Sequence, residues 1–434
     1  MGICILCIFA GPSRPFDTLS SLASLLPNAC RVAAGIGRAP IEEQAMDVKQ
    51  IGGVSVERLE GRLLMHGGHH GLDAFVTQTN LVSDGFVAAQ NVDKNLINPW
   101  GVAFGPTSPF WISDNNSGLA TLYDGAGTPQ SLVVNIPGGG GAAGNPTGQV
   151  FNGGPGFVVH EGAKSGPAAF ILVGEDGGIS GWSPAVDTHN AILAVDNSSV
   201  PDAANGAVYK GATLAPVSKG HSDLFVANFR AGTIEAYDDT FAPVHFSNGA
   251  FQDRHIPAGY APFNVQNVNG KLYVTYAKQN DQKHDDVAGA GNGFVDVYNT
   301  RGKLLQRLQH GSFLNSPWGV TQAPASWGHL AGDILVGQFG SGNIDIFNRD
   351  GRFVGFLNDS TGAPVTIDGL WDITPGNATA TNGGKAGSVS SIYFTAGLNH
   401  EQDGLFGSLT INNGDNDNDL GSPSDDAHDH GMHD

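Results

Sequence analysis

Short runs of Val, Ile, Phe and Tyr, separated by Gly, Asn and Asp, recur along most of this chain. Such runs are typical of β-strands that are joined by tight turns. Around residue 335, for example, the runs predict strands at 318–322, 332–336, 342–347 and 353–357. The pattern therefore predicts an all-β protein built from short strands.

The runs are grouped into repeats of about 54 residues. The segment NPWGV at 98–102 returns as SPWGV at 316–320, and four further segments match more loosely. Equivalent points fall near residues 99, 156, 210, 262, 317 and 370. Each repeat offers four strand-like runs, which is the content of one propeller blade.

The last repeat has only three clear runs, LWDIT, SIYFTA and LFGSLTI. The run AFVTQTNLV at 74–82 can supply the missing strand, and pairing it into the last sheet would remove an open edge. We therefore predict a six-bladed β-propeller over residues 74–412, closed by an N-terminal strand in the last blade. A β-sandwich pair is the competing architecture, but it gives no reason for six equal repeats.

The two ends of the chain differ in composition from the repeats. Residues 1–73 are predicted to be a disordered leader, with Met1 and Met46 as alternative starts, and residues 413–434 a disordered acidic tail. All three cysteines lie in the leader, so the propeller must be stable without disulfides. Cys4 and Cys7 have C-x-x-C spacing, but no second pair follows, and we assign them no redox or zinc role.

Charge and hydropathy exclude several classes of function. The chain has 21 basic and 41 acidic residues, a net charge of −20, which disfavours nucleic acid as a partner. No apolar run approaches the roughly 20 residues that span a bilayer, and we expect a monomer without a membrane span. Nucleophile-elbow, zinc-protease and P-loop motifs are missing from the sequence.

Two segments carry a resemblance to known proteins. VERLEGRLLM at 56–65 resembles the LEPR-XLL motif of bacterial exported proteins, with Gly61 and Met65 in place of Pro and Leu. The repeats, with NPWGVAFG at 98–105 and YAKQNDQKHDDVAGAGNGFVDVYN at 276–299, resemble NHL-type propellers and in particular an uncharacterised family of bacterial secreted propellers. The resemblance covers residues 80–412 and implies an extracellular or cell-surface location, but it implies no activity.

The mouth of a propeller's central channel is its usual site, because loops on a rigid frame converge there. The repeats place Trp100, Trp318 and Trp371 near the start of the innermost strands, with Asn264 and Asp372 as polar residues beside them. In one interpretation these five residues line a binding site with an apolar floor. In the other, the aromatic side chains pack between blades.

Six-bladed lactonases and related hydrolases hold a calcium ion in the channel through Glu, Asp and Asn side chains from several blades. By that resemblance, the candidate ligands in this chain are Asn98, Asn264, Asn315, Asp368 and Asp372. Oxygen ligands suit this hard cation. Only two of the five carry charge, and none recurs at an identical offset in the repeats.

The loop at 278–292 is much longer than the fold requires and is rich in ionisable residues. Three carboxylates and an imidazole within it can chelate a divalent ion or serve as acid and base. A solvated charged loop, neutralised by its own lysines, is the alternative. The candidate binding residues of the loop are Lys278, Asp281, His284, Asp285 and Asp286.

Polar turns recur after the second run of several repeats, at Asp114 to Asn116, at Glu175 with Asp176, and at Asn228 with Arg230. Asn, Asp and Gly tolerate left-handed backbone and bond their own main chain. We therefore interpret this set as hairpin turns.

Histidines cluster at both ends of the chain, among Gly and Asp residues that fix no geometry. Such clusters bind Zn, Cu or Ni loosely. The candidate transition-metal ligands are His66, His69, His70, His428, His430 and His433.

These observations favour an extracellular, non-catalytic propeller that binds a macromolecule, a glycan or a small ligand. The alternative is a calcium-dependent, lactonase-like hydrolase with its site in the central channel. Calcium in the channel and a transition metal at the His-rich ends are the two candidate cofactors.

Overall fold

The computed structural model describes residues 74–412 of this protein, and they form strands almost throughout. The leader at 1–73, its motif at 56–65, the tail at 413–434 and the six terminal histidines lie outside the described residues. The predictions made for those segments therefore stay predictions.

Six radial sheets follow one another along the chain, preceded by strands β1 and β2. The first two blades contain one inserted hairpin, β8 with β9, and a short 3₁₀ turn at Gly139–Gly141. In chain order these strands are β1 (Phe75–Ser83), β2 (Asn91–Val92), β3 (Pro99–Ala103), β4 (Phe110–Asp114), β5 (Leu119–Tyr123), β6 (Val134–Asn135), β7 (Pro146–Phe151), β8 (Val158–Glu161), β9 (Lys164–Pro167), β10 (Phe170–Gly174), β11 (Gly178–Trp182) and β12 (Ile192–Asp196).

Blades 3 to 6 complete the ring, with a second 3₁₀ turn at Gly328–Leu330 and one helical turn, α1, at Leu398–Glu401. Their strands are β13 (Tyr209–Ser218), β14 (His221–Asn228), β15 (Thr233–Tyr237), β16 (Tyr260–Val268), β17 (Lys271–Lys278), β18 (Gly293–Tyr298), β19 (Leu304–Arg307), β20 (Pro317–Gln322), β21 (Ile334–Gln338), β22 (Ile344–Phe347), β23 (Phe353–Phe356), β24 (Leu370–Pro375), β25 (Ser391–Gly397) and β26 (Asp403–Asn412).

The ring is closed by the N-terminal strand, as the sequence predicted. Strand β1 pairs antiparallel with β26, from Phe75 opposite Asn412 to Ser83 opposite Leu405. The last sheet therefore has the order β2-β1-β26-β25-β24. The protein is a six-bladed β-propeller, and the strands predicted for the fifth repeat lie within two residues of the observed ones.

The second repeat begins earlier than the prediction of residue 156. Its innermost strand is β7, whose sequence PTGQVF has few large apolar residues, whereas the apolar segment after Phe157 forms β8 of the inserted hairpin. Phe157 packs on Phe241 with ring centroids 5.1 Å apart, and it does not line the channel. Asn145 directly precedes β7 and begins the segment NPTG at 145–148, which matches NPWG at 98–101. This match indicates the true start of the second repeat.

The third blade has three strands among the described residues, and the predicted fourth is wrong. After β15 the chain makes one bridge between Tyr237 and Pro243, and Val244 donates one backbone hydrogen bond to Ala236. Pro243 has no N–H to donate, so a regular strand ladder does not continue through it.

The six innermost strands approach one another closely at one repeated position. Glycine occupies it in four blades, and a Cβ on Gly319 would lie 2.7 Å from the Trp371 carbonyl oxygen. In blades 4 and 6 the position holds Asn264 and Asp372, and each side chain binds the backbone of the next blade. Asn264 donates to the Trp318 carbonyl (3.0 Å), and Asp372 accepts from the Val102 N–H (2.8 Å).

Candidate functional site

An aromatic cluster fills the centre of the ring. In three blades a tryptophan directly precedes the position at which the innermost strands approach one another. These residues are Trp100, Trp318 and Trp371, and all three side chains are buried. Trp100 stacks on Trp371 with ring centroids 3.4 Å apart, and Trp318 meets both rings edge-on. Phe229, Phe263 and Phe339 complete the cluster. The aromatic rings pack against one another across the channel, and we call this cluster the aromatic floor.

One member of this ring of positions is a lysine. Lys210 follows Tyr209 at the start of β13, in the position that Trp100 has in blade 1, and it is only 2% exposed. Its Nζ lies 5.0 Å from the Trp100 ring centroid and 5.9 Å from that of Phe229. Ammonium groups are attracted to aromatic faces at such distances. The buried cation thus rests on the aromatic floor.

Carboxylates surround Lys210 at one mouth of the channel. Innermost strands begin at this face and second strands end there, so the turns that follow the second strands converge on it. The ammonium pairs with Glu175, which follows β10, and lies 3.6 Å from Asp285 in the loop after β17. Asp286 of the same loop and Glu401 of α1 bring two further carboxylates to this face.

Each carboxylate is held by a neighbour from another blade or its own loop. Asn115 donates to Glu175 (2.9 Å), and Asn98 donates to Glu401 (2.9 Å). The Ser316 hydroxyl donates to Asp286. We call Glu175, Lys210, Asp285, Asp286 and Glu401 the charged mouth. Residues from all blades but the third supply or hold its carboxylates, and blade 3 supplies the lysine.

The environments of these groups push their pKa values in opposite directions. Burial raises the pKa of Asp286 and of Glu401. Asp285 instead has its pKa lowered to about 2 by the hydrogen bond to His284 (2.7 Å) and by Lys210. Burial lowers the pKa of Lys210, but Glu175 and the aspartates outweigh it, so the net shift is upward and the lysine is an ammonium ion.

Two residues of the charged mouth and the adjacent His284 could hold a metal ion. Ligand atoms of Glu175, His284 and Asp285 lie within 4.8 Å of one another. One imidazole with two carboxylates suits a transition metal better than calcium, which prefers oxygen ligands alone. The ammonium of Lys210 already pairs with Glu175 at this point, so a metal would compete with it.

The long loop divides into residues that reach the mouth and residues that do not. His284, Asp285 and Asp286 are brought together there, whereas Lys278 and Asp281 are exposed. The loop folds back as a hairpin, with Val287 donating to the Lys278 carbonyl (2.8 Å). Three of the loop's five candidates therefore reach the mouth, and two of these three are the carboxylates Asp285 and Asp286.

The five calcium candidates are engaged with separate partners. Asn264 and Asp372 bind backbone of neighbouring innermost strands, and Asn98 binds Trp371 and Glu401. Asn315 accepts from the Gly289 N–H (2.6 Å), and Asp368 accepts from the Asn399 N–H (3.3 Å). Calcium ligation by this set would require several of these bonds to break.

Sequence reasoning did not assign Lys210, Glu401 or Ser316 to the site, and it interpreted Glu175 as part of a turn. The sequence did contain a signal for Lys210, because YKG at 209–211 aligns with PWG at 99–101 and places the lysine where Trp100 stands. Glu401 belongs to a segment with left-handed φ angles at 399, 400 and 401, which no repeat pattern indicates.

The fold and the mouth define a β-propeller that carries a charged cluster over an aromatic floor. The chain is 31% identical over 333 residues to the uncharacterised protein L690 of Acanthamoeba polyphaga mimivirus, covering 76% of this chain and 84% of the relative. It therefore belongs to the family of L690. The uncharacterised protein R648 of the same virus is 29% identical over 76% of this chain and 78% of its own length. No established family profile matches the chain.

The chain is also similar to solved structures, at low sequence identity. Virginiamycin B lyase from Staphylococcus aureus is 11% identical, with a TM-score of 0.43 over 78% of this chain and 99% of its own. A protein of unknown function from Bacteroides thetaiotaomicron is 9% identical, with a TM-score of 0.48 over 78% of this chain and 77% of its own. The relatives found by sequence are viral, so the bacterial family expected above is not supported.

Proposed function

We propose that this protein is a non-catalytic binding propeller that holds a small organic cation, such as a polyamine, at the charged mouth. The supporting observation is the imbalance of charge there, where four carboxylates accompany one ammonium. After Lys210 has neutralised one negative charge, the remaining carboxylates favour a positively charged ligand. We also propose that the protein is located outside the cell, and this part of the proposal rests on the motif at 56–65.

The geometry favours binding over covalent chemistry. Lys210 is held as an ammonium ion by Glu175, and a protonated amine is not a nucleophile. Asp286 and Glu401, whose pKa values are raised by burial, would be stabilised as carboxylates by an added positive charge. Binding of a cation and ionisation of these two groups would thus support each other.

Titration calorimetry of the full chain with spermidine tests this proposal. Substitutions Asp286→Asn and Glu401→Gln should each weaken binding about tenfold or more, because a charged hydrogen bond contributes about 1.5–3 kcal/mol. The matched control is Asp281→Asn, an exposed carboxylate of the same loop, which should leave the affinity unchanged. If spermidine does not bind, or if all three variants behave alike, the proposal is wrong.

A metal-assisted hydrolase is the second candidate, and the convergence of Glu175, His284 and Asp285 favours it. Elemental analysis after dialysis against zinc separates this site from the His-rich tail. His284→Ala should release the metal, whereas a chain with His428, His430 and His433 all changed to Ala should retain it. The opposite result would assign the metal to the tail and remove support for a hydrolase.

A further inference from the structure

A cavity lies at the end of the channel opposite the charged mouth, where innermost strands β16, β20 and β24 end. Its volume is about 420 Å³, within the roughly 300–1,000 Å³ of ligand sites. None of its lining residues is ionisable, and amide and hydroxyl groups of Gln266, Thr321, Gln322 and Thr374 face it together with Pro and Val side chains. This end of the channel therefore differs in kind from the charged mouth.

A smaller cavity of about 200 Å³ continues the first one between blades 4 and 5. The two share Val268, Asn269 and Gln322, and Asn269 donates to the Gln322 side chain (2.8 Å) at their border. The smaller cavity adds two cations, Lys271 and Arg349. We call the joined cavities the distal groove. It is neutral at the channel end and basic at the outer end.

The basic end is available to a ligand. The ion pairs within residues 74–412 do not include Lys271 or Arg349. Asp333 attracts Arg349 electrostatically, yet their charged atoms are more than 4.0 Å apart. The guanidinium of Arg349 lies against Gly332, where a Cβ would be only 2.8 Å from it. Neither cation therefore has a carboxylate at ion-pair distance among the described residues, and both can meet an anionic group of a ligand.

The neutral end offers groups that both donate and accept hydrogen bonds. Gln322 is engaged with Asn269 and with the Gly332 carbonyl (2.8 Å). Within the part of the chain that the structure describes, the side chains of Gln266 and Thr321 are half-buried and make no hydrogen bond to other protein groups. Sugar hydroxyls also act as donors and acceptors, and they match such amide and hydroxyl groups.

We propose that the distal groove binds an acidic oligosaccharide. Sugar rings occupy the neutral cavity, where their hydroxyls meet Gln266 and Thr321, and a uronate carboxylate meets Lys271 and Arg349. The guanidinium of Arg349 can bind a carboxylate through two parallel hydrogen bonds. This site is independent of the charged mouth and of the function proposed for it.

Calorimetry of the full chain with tetragalacturonate tests the inference, with neutral maltotetraose as the comparison ligand. We expect tetragalacturonate to bind and maltotetraose to bind at least tenfold more weakly. Arg349→Gln and Lys271→Gln should each weaken tetragalacturonate binding at least fivefold, and Gln266→Ala should weaken it severalfold. Thermal unfolding of each variant verifies that it is folded.

Two controls make the outcome specific. Arg301→Gln removes an exposed cation elsewhere in blade 4 and should not change the affinity, and Asp286→Asn at the charged mouth should not either. Equal binding of both tetrasaccharides, or no effect of Arg349→Gln, would overturn the inference. Equal competition by inorganic phosphate would also overturn it, since the groove would then recognise a bare anion and not a saccharide.

Discussion

The centre of the ring holds one lysine, Lys210, and three tryptophans at equivalent positions of four innermost strands. The repeats identified Trp100, Trp318 and Trp371, because each copy of PWG marks the same point of an innermost strand. They did not identify Lys210 as a partner of Glu175, since that contact joins two blades and depends on how far the turns reach. Pairings between repeats are set by three-dimensional packing, and no spacing in the sequence encodes them.

The buried ion pair at the charged mouth leads to a prediction for stability. Lys210→Met keeps the length and packing of the side chain but leaves Glu175, only 13% exposed, without its cation. Removing one partner of a buried pair costs about 3–5 kcal/mol. We therefore expect the free energy of unfolding to fall by about this amount in urea denaturation, and the double variant with Glu175→Gln to recover at least half of it.

An exposed lysine provides the comparison for this measurement. Lys303 is exposed and belongs to none of the ion pairs within residues 74–412. Because surface substitutions away from such pairs usually change stability by no more than about 0.5 kcal/mol, Lys303→Met should be nearly neutral. If Lys210→Met cost no more than Lys303→Met, the pair at the mouth would be hydrated in solution, and the lysine would not be the charge that the carboxylates require.

At the scale of elements, the sequence predicted the strands well wherever each was a clear apolar run, as in blade 5. It failed for β7 and for the missing outer strand of blade 3, for related reasons. Strand β7 is selected by contacts of small and polar residues, such as Gly148 against the backbone of Ala212, and not by its own hydrophobicity. Tertiary packing here overrides local propensity.

The close approach of innermost strands leads to a second prediction. A Cβ on Gly319 would lie 2.7 Å from the Trp371 carbonyl oxygen and 2.8 Å from the Ile373 nitrogen, so blades 5 and 6 would have to separate. Gly319→Ala should therefore lower the free energy of unfolding by about 1–3 kcal/mol, the usual cost of overpacking.

The control for this substitution is Gly154→Ala, in an exposed loop. Its nearest neighbour is a side-chain atom, the Asn152 oxygen at 3.3 Å, which can move. Chemical denaturation should show a change within about 0.5 kcal/mol for this variant. If Gly319→Ala left the free energy of unfolding unchanged, the innermost strands would pack less closely than described. The aromatic floor would then be packed less tightly as well.

The molecule as a whole combines a large negative charge with buried carboxylates in its blades. Burial raises the pKa of Asp345 to about 8 and those of Asp296 and Asp372 to about 7. One oxygen of Asp345 and one of Asp114 have no hydrogen-bond partner among the described residues, although Gln338 donates to the other oxygen of Asp345 (3.1 Å). These interiors therefore favour the neutral acids.

This arrangement predicts that the protein is more stable at mildly acidic than at alkaline pH. Unfolded carboxyls titrate near 3.8, whereas Asp296, Asp345 and Asp372 titrate near 7 to 8 in the fold. Between these values the native state binds more protons than the unfolded state, so the free energy of unfolding falls as pH rises. The stabilisation is complete below about pH 4 and is lost as pH passes through the native pKa values.

Urea denaturation at pH 5 and at pH 8 measures this dependence. The free energy of unfolding should be lower at pH 8 by at least about 3 kcal/mol, because each unit of pKa shift is worth about 1.4 kcal/mol per group. Asp345→Asn removes one titrating group without changing its shape, so the difference between the two pH values should shrink. Asp350→Asn, at an exposed turn, should leave it unchanged. Equal stability at both pH values would show that water reaches these carboxylates and that the blades are less tightly packed than the ring geometry requires.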